Sequence, residues 1–285
     1  MASIGSVFIV GAGSVGLGLA HALRDCGIEL SGIWARTDKP KTELPSQTPL
    51  FVSWEAAGLS EALRSSQIIL LAVSDQAISI CSSELVTRDF IAPDTIVAHT
   101  SGCAELSELK ESTGSFRGGL HPLAAIPSMT QGRARLRSCV YAIEGEGPAN
   151  ASLTALAKAL GGRPFTLSPG QRPRYHAAAV MASNLMVGLM DIAIEELKKT
   201  GLEEASEPLV ELSLGAIEAV GQLGPQAALT GPVVRGDMPT IETHLNTLDG
   251  EAQSAYRVLS ARLVGIAEAR GLEHQALLKL RELLS

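Results

Sequence analysis

The sequence predicts an α/β protein with a doubly wound, mostly parallel sheet in its first part and an all-helical domain in its second. Short β-rich apolar runs alternate with helical segments, a glycine-rich turn follows the first run, and no strand pattern returns after residue 168. A chain of 285 residues suits two domains of ordinary size. We predict domains at residues 1–168 and 169–285.

The elements of the first domain follow from this alternation. Each apolar run has strand length and is bounded by turn residues, and crossover helices between such runs produce parallel pairing. A helix is predicted at residues 149–160, ended by Gly161 and Gly162. Strands are predicted at residues 6–10, 29–35, 67–73, 95–101, 116–121, 138–145 and 163–168.

The second domain begins with a long helical pattern. We expect one continuous helix from about Arg174 to Thr200, beginning near Pro173 and ending at Lys198, Lys199 and Gly201. Such a helix would be roughly 40 Å long, enough to contribute to a dimer interface. Further helices are predicted at residues 203–223, 239–247, 250–270 and 273–284.

Residues 177–194 approach the length of a membrane span. Three polar residues, Ser183, Asn184 and Asp191, interrupt this apolar stretch. We therefore interpret it as a core helix or a dimer helix rather than a membrane helix.

Composition indicates a soluble, cytoplasmic, globular protein. Hydrophobic residues make up 46% and charged residues 19% of the chain, and the net charge of −7 argues against a nucleic-acid surface. The four cysteines are isolated, which is typical of reduced thiols and not of a disulfide framework. No basic segment precedes the first apolar run, so a signal peptide is not expected.

Residues 11–16 read GAGSVG between a strand and a helix, with a second strand ending about 20 residues later. This is the βαβ setting of the dinucleotide-binding, or Rossmann, fingerprint. We expect Gly11 to permit the turn, Gly13 to let the backbone approach a diphosphate, and Gly16 to let the helix pack on the strand. Ser14 and Val15 would bind the diphosphate at the start of the helix.

The end of the second predicted strand indicates which dinucleotide binds. An NAD or FAD site usually has an acidic residue there, whereas this sequence has Ala35, followed by Arg36 and Thr37. A cation and a hydroxyl favour the 2′-phosphate of NADP, so we predict NADP(H) as the cofactor. Asp38 would be the acidic residue if the strand register were shifted.

Two further strand ends carry polar residues. Ser74 follows one strand, and His99, Thr100 and Ser101 end the next. Ligands of open α/β sheets bind at this carboxyl edge, so we predict that Ser74, Thr100 and Ser101 lie along the cofactor. Polar residues are also common in strand-end loops that bind nothing.

Three later segments, GGLHPL at 118–123, RYHAAAVMASN at 174–184 and ALTGPVVRGDMPTIETHL at 228–245, are unlike core sequence. With the fingerprint, they resemble the Rossmann-like oxidoreductases that carry a carboxy-terminal domain of unknown function (domain of unknown function 2520). The resemblance covers nearly the whole chain. It implies an architecture related to pyrroline-5-carboxylate reductases, ketopantoate reductases and 6-phosphogluconate dehydrogenases, and NADP-dependent oxidoreduction.

One departure from the related enzymes matters. The hydroxyisobutyrate-type dehydrogenases have a lysine four residues before an asparagine on the interdomain helix. Here the residue four positions before Asn184 is Val180. Their lysine mechanism therefore does not carry over to this chain.

Histidines are the candidate proton donors for a carbonyl that receives hydride. On a continuous helix, His176 and Ser183 would lie within roughly 20° of one face, with Asn184 about 80° around from His176. We predict His176, Asn184 and His121 as catalytic residues and Ser183 as a substrate-binding residue. A lone histidine on a helix is more often structural, and His121-Pro122 after a strand is also a common loop start.

The segment LTGPVVRGD has the composition of a turn that presents side chains. Arg235 is suited to bind a substrate carboxylate, and Thr230 and His244 are predicted to contribute to substrate binding. Asp237 either fixes Arg235 or caps the next helix. A purely structural turn remains the alternative.

These residues together predict an NADP(H)-dependent oxidoreductase that transfers hydride to or from a small, carboxylated carbonyl or imine compound bound between two domains. The alternatives are a ketopantoate-reductase-like enzyme and a non-catalytic dinucleotide-binding sensor or partner protein. We expect a homodimer formed through the helical domain. No metal is expected, because His121, His176 and His244 do not have ligand spacing.

Overall fold

The computed structural model describes residues 4–285, and its first part contains one eight-stranded sheet. The predicted strands are all present, and a two-residue strand at residues 50–51 joins them. The strands are β1 (Val7–Val10), β2 (Leu30–Trp34), β3 (Leu50–Phe51), β4 (Ile68–Leu71), β5 (Ile96–His99), β6 (Phe116–Leu123), β7 (Val140–Gly145) and β8 (Arg163–Thr166).

The strand order is β3-β2-β1-β4-β5-β6-β7-β8. Every neighbouring pair is parallel except β6 with β7, which is antiparallel. The first six positions have the order of the doubly wound dinucleotide-binding fold, with a change of direction between β1 and β4. This confirms the predicted Rossmann sheet.

Helices follow most strands of the sheet. The helix predicted at 149–160 is confirmed, and Gly161 ends it with a φ of 77°. The helices of this part are α1 (Ser14–Asp25), α2 (Leu59–Arg64), α3 (Asp75–Thr87), α4 (Met129–Leu136), α5 (Ala149–Ala159) and α6 (Arg172–Ala182).

Two hydrophobic clusters cover the two faces of the sheet. Alternate residues of β1 separate them: Val7 and Ile9 belong to one cluster, and Phe8 and Val10 to the other. All four side chains are fully buried. Because successive strand residues point to opposite faces, a short apolar run without alternation is what a sheet covered on both sides requires.

The structure corrects the predicted position of His121 and Pro122. We expected them after a strand, but both lie inside β6, where His121 pairs with Ala142 and Pro122 with Tyr141 of β7. Pairing with β5 ends at Gly119, so Pro122 has a strand on one side only. A proline without an N–H is tolerated at such an edge position, and the β7 pairing prolongs the strand.

The chain divides into two compact units, one ending at Val180 and the other formed by Met181–Ser285. The start of α6 thus belongs to the first unit, and the domain limits at 168 and 169 stay a prediction. The second unit is helical. Its helices are α7 (Asn184–Lys198), α8 (Ser206–Ala228), α9 (Pro232–Arg235), α10 (Met238–Thr247), α11 (Gly250–Ala269) and α12 (His274–Leu283).

The core of the second unit lies among α9, α10, α11 and α12. Val233 of α9, Ile241 of α10 and Val264 of α11 are buried there with Leu280 of α12. The segment predicted as a turn therefore contains a short helix, which begins after Gly231 and ends at Gly236 with a φ of 68°.

The prediction of one continuous helix from Arg174 to Thr200 is wrong. Ser183 has φ −128° and ψ −77°, which separates α6 from α7. The predicted angular positions of His176, Ser183 and Asn184 around one helix are therefore wrong as well, because the helical rotation is interrupted at Ser183.

Helices α7 and α8 contact one another and expose a large apolar surface. We call it the α7–α8 face and define it by Leu185, Val187, Leu212, Leu214 and Leu223, which are 55–70% exposed and lie on more than one side of their helices. By length and composition, the segment Arg172–Lys198 would also suit a membrane span, and none of its most apolar window is buried in the chain. In a folded protein of this size, such a surface indicates an interaction site.

Candidate cofactor and active site

The glycine turn after β1 has the geometry that the fingerprint predicts. Gly11 has a φ of 116°, and a Cβ there would lie 2.2 Å from the Ala72 carbonyl oxygen. A Cβ at Gly16 would lie 2.0 Å from the Gly11 carbonyl oxygen, so α1 packs directly on the turn. A Cβ at Gly13, by contrast, would have nothing within 4 Å. Gly11 and Gly16 close the turn, and Gly13 leaves space beside it.

The amino terminus of α1 is suited to bind an anion. The helix has 12 residues, its N-cap is Gly13, and no side chain of the N-cap accepts a hydrogen bond from it. Its first turn contains no acidic residue. The amide N–H groups and the helix dipole therefore present positive charge to the space beside Gly13.

A cavity of about 340 Å³ extends from this helix terminus along the carboxyl edge of the sheet. It lies at the ends of β1, β4 and β5, where the strand order changes direction, which is the ligand site of open α/β sheets. It brings together six of the predicted site residues. The lining residues are Gly13, Ser14, Val15, Ala72, Val73, Asp75, Thr100, Ser101, Gly102 and His121.

Ser74 lies between two lining residues and is the N-cap of α3. Ser101 has a structural task as well, because its Oγ accepts hydrogen bonds from the N–H groups of Cys103 and Ala104. This capping holds the β5 loop in the shape that leaves Gly102 beside the cavity.

The end of β2 contains no acidic side chain in the expected place. Ala35 is 2% exposed, whereas Arg36 and Thr37 are exposed. The carboxylate of Asp38 accepts a hydrogen bond from the N–H of Lys39, 2.9 Å away, and so closes its own turn. The residues that face solvent directly after β2 are thus a cation and a hydroxyl.

His121, Tyr175 and His176 form a compact group, which we call the His–Tyr cluster. The Tyr175 hydroxyl oxygen lies 2.7 Å from His121 Nδ1, and the two rings meet edge to face. The rings of His121 and His176 are also perpendicular, with centroids 5.7 Å apart. The structure therefore brings two of the predicted catalytic residues together and adds Tyr175.

Gly102 explains how these rings fit beside the cavity. A Cβ at residue 102 would lie 2.3 Å from His176 Nδ1 and 2.9 Å from His121 Nε2. Both ring nitrogens therefore approach one point, which only a glycine leaves free. His176 Nδ1 is buried and has no hydrogen-bond partner within residues 4–285. Unsatisfied buried polar atoms are rare, and this one lies beside a cavity-lining residue.

Burial determines the protonation of the cluster. It lowers the pKa of His121 to about 4, with His176 and Arg172 adding to the shift and Asp75 opposing it. Burial also raises the pKa of Tyr175 to about 12, against the effect of Arg172. At neutral pH the imidazole of His121 is therefore uncharged and the phenol of Tyr175 keeps its proton.

A buried ion pair lies behind the cluster. The Arg172 guanidinium is fully buried, and its Nε donates to Glu144 Oε2 at 2.6 Å while its Nη1 donates to the Ser101 carbonyl oxygen at 2.9 Å. A Cβ at Gly119 would lie 1.8 Å from Arg172 Nη2, so the glycine is required. Arg172 thereby ties α6 to β7 and to the β5 loop.

Sequence analysis did not find Arg172, Glu144 or Tyr175 as members of this group. Arg172 sits in a turn-rich segment and Glu144 in a strand, 28 positions apart, and neither belongs to a motif. The paired glycines of GGLHPL were the one available signal, since Gly119 leaves room for the guanidinium.

The other predicted site residues lie in the second unit. Arg235 is 64% exposed and 3.9 Å from Asp237, and Thr230 is exposed. Asp237 is the N-cap of α10 and accepts hydrogen bonds from Thr240, so the capping interpretation is confirmed. The Nδ1 of His244 lies 2.8 Å from the Tyr256 hydroxyl.

Ser183 and Asn184 stand at the start of α7, where the hydroxyl of Ser183 donates to Oδ1 of Asn184 at 3.0 Å. Their roles, and those of Thr230, Arg235 and His244, stay predictions. Within residues 4–285, no group of three or more His, Cys, Asp or Glu side chains is arranged to hold a metal ion.

Two family models match successive parts of the chain. Residues 2–127 match the model of a Rossmann-like domain, and residues 139–263 match DUF2520, a domain of unknown function. The resemblance inferred from the sequence is thereby confirmed: the chain carries both domains in that order. No curated protein matches the sequence.

Solved structures share the fold over nearly the whole chain. A provisionally assigned NADP oxidoreductase of Bacteroides fragilis matches with a TM-score of 0.73 and 24% identity, covering 93% of this chain and 100% of its own. A protein of Thermotoga maritima gives 0.72 and 20%, covering 93% and 99%. The NADP-bound pyrroline carboxylate reductase of Plasmodium falciparum gives 0.62 and 14%, covering 100% of both chains. At these identities the likeness shows the fold.

Proposed function

We propose that this chain, which combines a Rossmann-like domain with DUF2520, is an NADP(H)-dependent oxidoreductase acting on a small, carboxylated carbonyl or imine compound. One observation carries the proposal. A single cavity extends from the open side of Gly13, at the start of α1, to His121, which contacts Tyr175. An anion site and a proton-donating group thus lie at two ends of one space.

The residues of the chain fit a dinucleotide. The open Gly13 turn and the amides of α1 bind the diphosphate, and Thr100 and Ser101 lie farther along the same edge. Bound there, the reduced nicotinamide supplies hydride. His121 donates a hydrogen bond to the substrate atom that becomes negative.

Arg36 and Thr37 support NADP(H) over NAD(H), since they are exposed directly after β2 and no carboxylate replaces Ala35 there. Two structural neighbours are described with NADP or NADPH bound. We propose that Arg36 binds the 2′-phosphate.

Replacing Arg36 with glutamate tests this choice of cofactor. We expect the Kd for NADPH to rise by about 10- to 100-fold, the range for a lost charge-assisted hydrogen bond, and the Kd for NADH to change little. Fluorescence titration of both nucleotides measures the effect. Lys158→Glu, on an exposed position of α5, makes the same change of net charge and serves as the control. Equal weakening of both nucleotides would remove the assignment.

The substrate class follows from Arg235 and from the neighbours. The exposed guanidinium of Arg235, which lies 3.9 Å from Asp237, is suited to bind a substrate carboxylate. Structural neighbours described as a pyrroline carboxylate reductase, a reductive aminase and an imine reductase have the same fold. We therefore propose 2-keto acids, β-keto acids and cyclic imino acids as the compounds to screen.

Turnover is tested by following NADPH oxidation at neutral pH with this panel. Oxidation that depends on one compound class and is lost in His176→Ala or His121→Gln supports the enzyme. Binding of NADPH without turnover of any compound would favour the sensor or partner protein instead.

We also propose that the chain is a soluble homodimer formed through the α7–α8 face. The exposed leucine and valine side chains of this face are more than a solvated monomer usually presents. A second copy offers the same apolar surface, and two-fold pairing of identical helix faces is the commonest way to cover one.

A further inference from the structure

The His–Tyr cluster gives His121 a specific protonation state and a source of protons. We propose that Tyr175 is a positioning residue that holds the proton of His121 on Nε2, facing the cavity, and that supplies a proton to Nδ1 from its own hydroxyl when Nε2 gives up its proton. This inference rests on the proposed function, because the proton is delivered to a substrate that receives hydride.

The hydrogen bond between Tyr175 and His121 sets the tautomer. A neutral imidazole carries one N–H, so Nδ1 either donates to the phenol oxygen or accepts from it. The 2.7 Å contact is the only hydrogen bond that the structure gives the Tyr175 hydroxyl within residues 4–285. Because no other protein group among the described residues accepts its hydrogen, the hydroxyl is assigned as the donor to Nδ1. The proton of His121 is therefore on Nε2.

The packing of Tyr175 keeps this contact in place. Its ring meets His121 edge to face with centroids 5.5 Å apart, and the Phe165 ring of β8 contacts it from another side at 5.7 Å. Tyr175 is the fourth residue of α6, and Arg172 anchors the start of that helix to Glu144. The anchored helix α6 thus holds the phenol of Tyr175 against side chains of β6 and β8.

Nε2 is the ring nitrogen of His121 that remains for a substrate, because Nδ1 contacts Tyr175 and the ring lines the cavity. His121 lines the cavity, and its Nε2 lies 2.9 Å from the point that a Cβ at Gly102 would occupy. The unpartnered Nδ1 of His176 approaches the same point. A carbonyl oxygen or imine nitrogen in the cavity would accept a hydrogen bond from His121 Nε2, and the His176 ring lies beside the His121 ring.

Burial and the neighbouring groups keep both His121 and Tyr175 uncharged at neutral pH. His176, Arg172 and Asp75 face His121, and burial with the first two keeps its pKa near 4. Arg172 and Cys139 face Tyr175, whose pKa burial raises to about 12. His121 is therefore not an imidazolium at neutral pH, and losing Nε2–H alone would leave an imidazolate. A second proton must arrive at Nδ1.

With a carbonyl substrate, hydride supplied by a bound reduced nicotinamide would form a C–H bond and leave an alkoxide. The Nε2–H bond of His121 breaks and the alkoxide becomes a hydroxyl, while the O–H bond of Tyr175 breaks and Nδ1 takes its proton. His121 stays neutral with its proton now on Nδ1, and Tyr175 is a phenolate. The starting state returns when Nδ1 gives this proton back to the phenolate and water protonates Nε2.

The tautomer is measured by NMR on ¹⁵N-histidine-labelled protein at neutral pH, with His121→Gln assigning the signal. We expect a protonated Nε2 and an unprotonated Nδ1 in the parent chain, and loss of this single tautomer in Tyr175→Phe. Phenylalanine keeps the ring contacts, so the fold is preserved. Tyr256→Phe removes the corresponding 2.8 Å contact to His244 and is the matched control, which should change His244 alone. A protonated Nδ1 in the parent chain, or an unchanged tautomer in Tyr175→Phe, overturns the proposal.

Kinetics test the proton transfer. With a compound that oxidises NADPH, Tyr175→Phe should lower kcat by about 10²-fold, the lower range for a proton donor, with the Kd for NADPH within about twofold. His121→Gln and the double variant should be equally slow, because the two residues act as one unit. Full activity of Tyr175→Phe, or independent effects of the two changes, contradicts the relay.

The two proposals fail in different ways. If the chain binds no nicotinamide nucleotide, the proposed function fails, while the NMR result still decides whether Tyr175 sets the tautomer. If NADPH is oxidised and Tyr175→Phe is as fast as the parent, the relay fails and the oxidoreductase assignment stands.

Discussion

Gly11, Gly13 and Gly16 are the three glycines of one sequence motif, but their surroundings in the structure differ. A Cβ at Gly11 or Gly16 would meet backbone at about 2 Å, whereas one at Gly13 would meet nothing. The first two are required by the fold, and Gly13 is required only if a ligand occupies the space beside it. The motif predicted these roles from its place between a strand and a helix, although the backbone that Gly11 approaches is that of Ala72, which is distant in the chain.

Arg172 shows what could not be predicted at this scale. A buried arginine needs a partner, and its partner Glu144 lies in a different element. Such a pairing depends on how strands and helices are placed, which local patterns do not contain. Tyr175 was seen beside His176 in the sequence, but its bond to His121 spans 54 positions.

The Arg172–Glu144 pair should be costly to break from one side. Arg172→Met leaves the Glu144 carboxylate buried without its cation, so we expect the free energy of unfolding to fall by about 3–5 kcal/mol. The double variant with Glu144→Leu should recover part of this loss, since neither charge remains. Denaturant unfolding of both variants measures it, and a loss below 1 kcal/mol in Arg172→Met would show that the pair is unimportant for stability.

At the scale of elements, the break between α6 and α7 was the main error. Neither proline nor glycine occurs close to Ser183. Ser183 and Asn184 do interrupt the apolar stretch, and serine is a favoured first residue before a helix, but this signal alone did not outweigh the apolar pattern on both sides. The extension of β6 through Pro122 was missed for a related reason. This extension depends on pairing with the antiparallel strand β7, whereas a proline inside an apolar run argues against a strand that continues through it.

The start of α10 was predicted correctly and can be tested. Asp237→Ala removes the acceptor of the Thr240 amide, so we expect the free energy of unfolding of the second unit to fall by about 1 kcal/mol. Asp249→Ala is the matched control, because Asp249 precedes α11 without a side-chain capping bond. Thermal denaturation compares them, and an equal loss in the two variants would contradict the capping role.

At the scale of the whole molecule, the mostly parallel sheet and the helical second unit followed from periodicity and turns, because each β-α step is local. The cavity followed too, since parallel strands end at one edge. The apolar pattern of α7 left a core helix and a dimer helix as alternatives, and the side chains of the α7–α8 face are exposed in the chain itself.

The homodimer proposal predicts a specific variant effect. Leu212 is 70% exposed on α8, and a glutamate there would be buried at the interface without a partner, so Leu212→Glu should yield a monomer in analytical ultracentrifugation while the parent chain is a dimer. Ile80→Glu on α3 changes a side chain that is 66% exposed in the first unit and should leave the dimer intact. A monomeric parent chain at tens of micromolar, or no effect of Leu212→Glu, contradicts the proposal.

Isothermal titration calorimetry with NADPH is the most direct test of the account. We predict saturable binding at one site per chain and, for Gly13→Ala, a Kd raised by at least about tenfold, or 1.4 kcal/mol, at an unchanged melting temperature. Gly265→Ala, on α11, also adds a methyl group where nothing lies within 4 Å and should bind like the parent. The account is contradicted if the folded parent chain gives no heat with NADPH, NADH or their oxidised forms, or if Gly13→Ala binds NADPH as tightly as the parent.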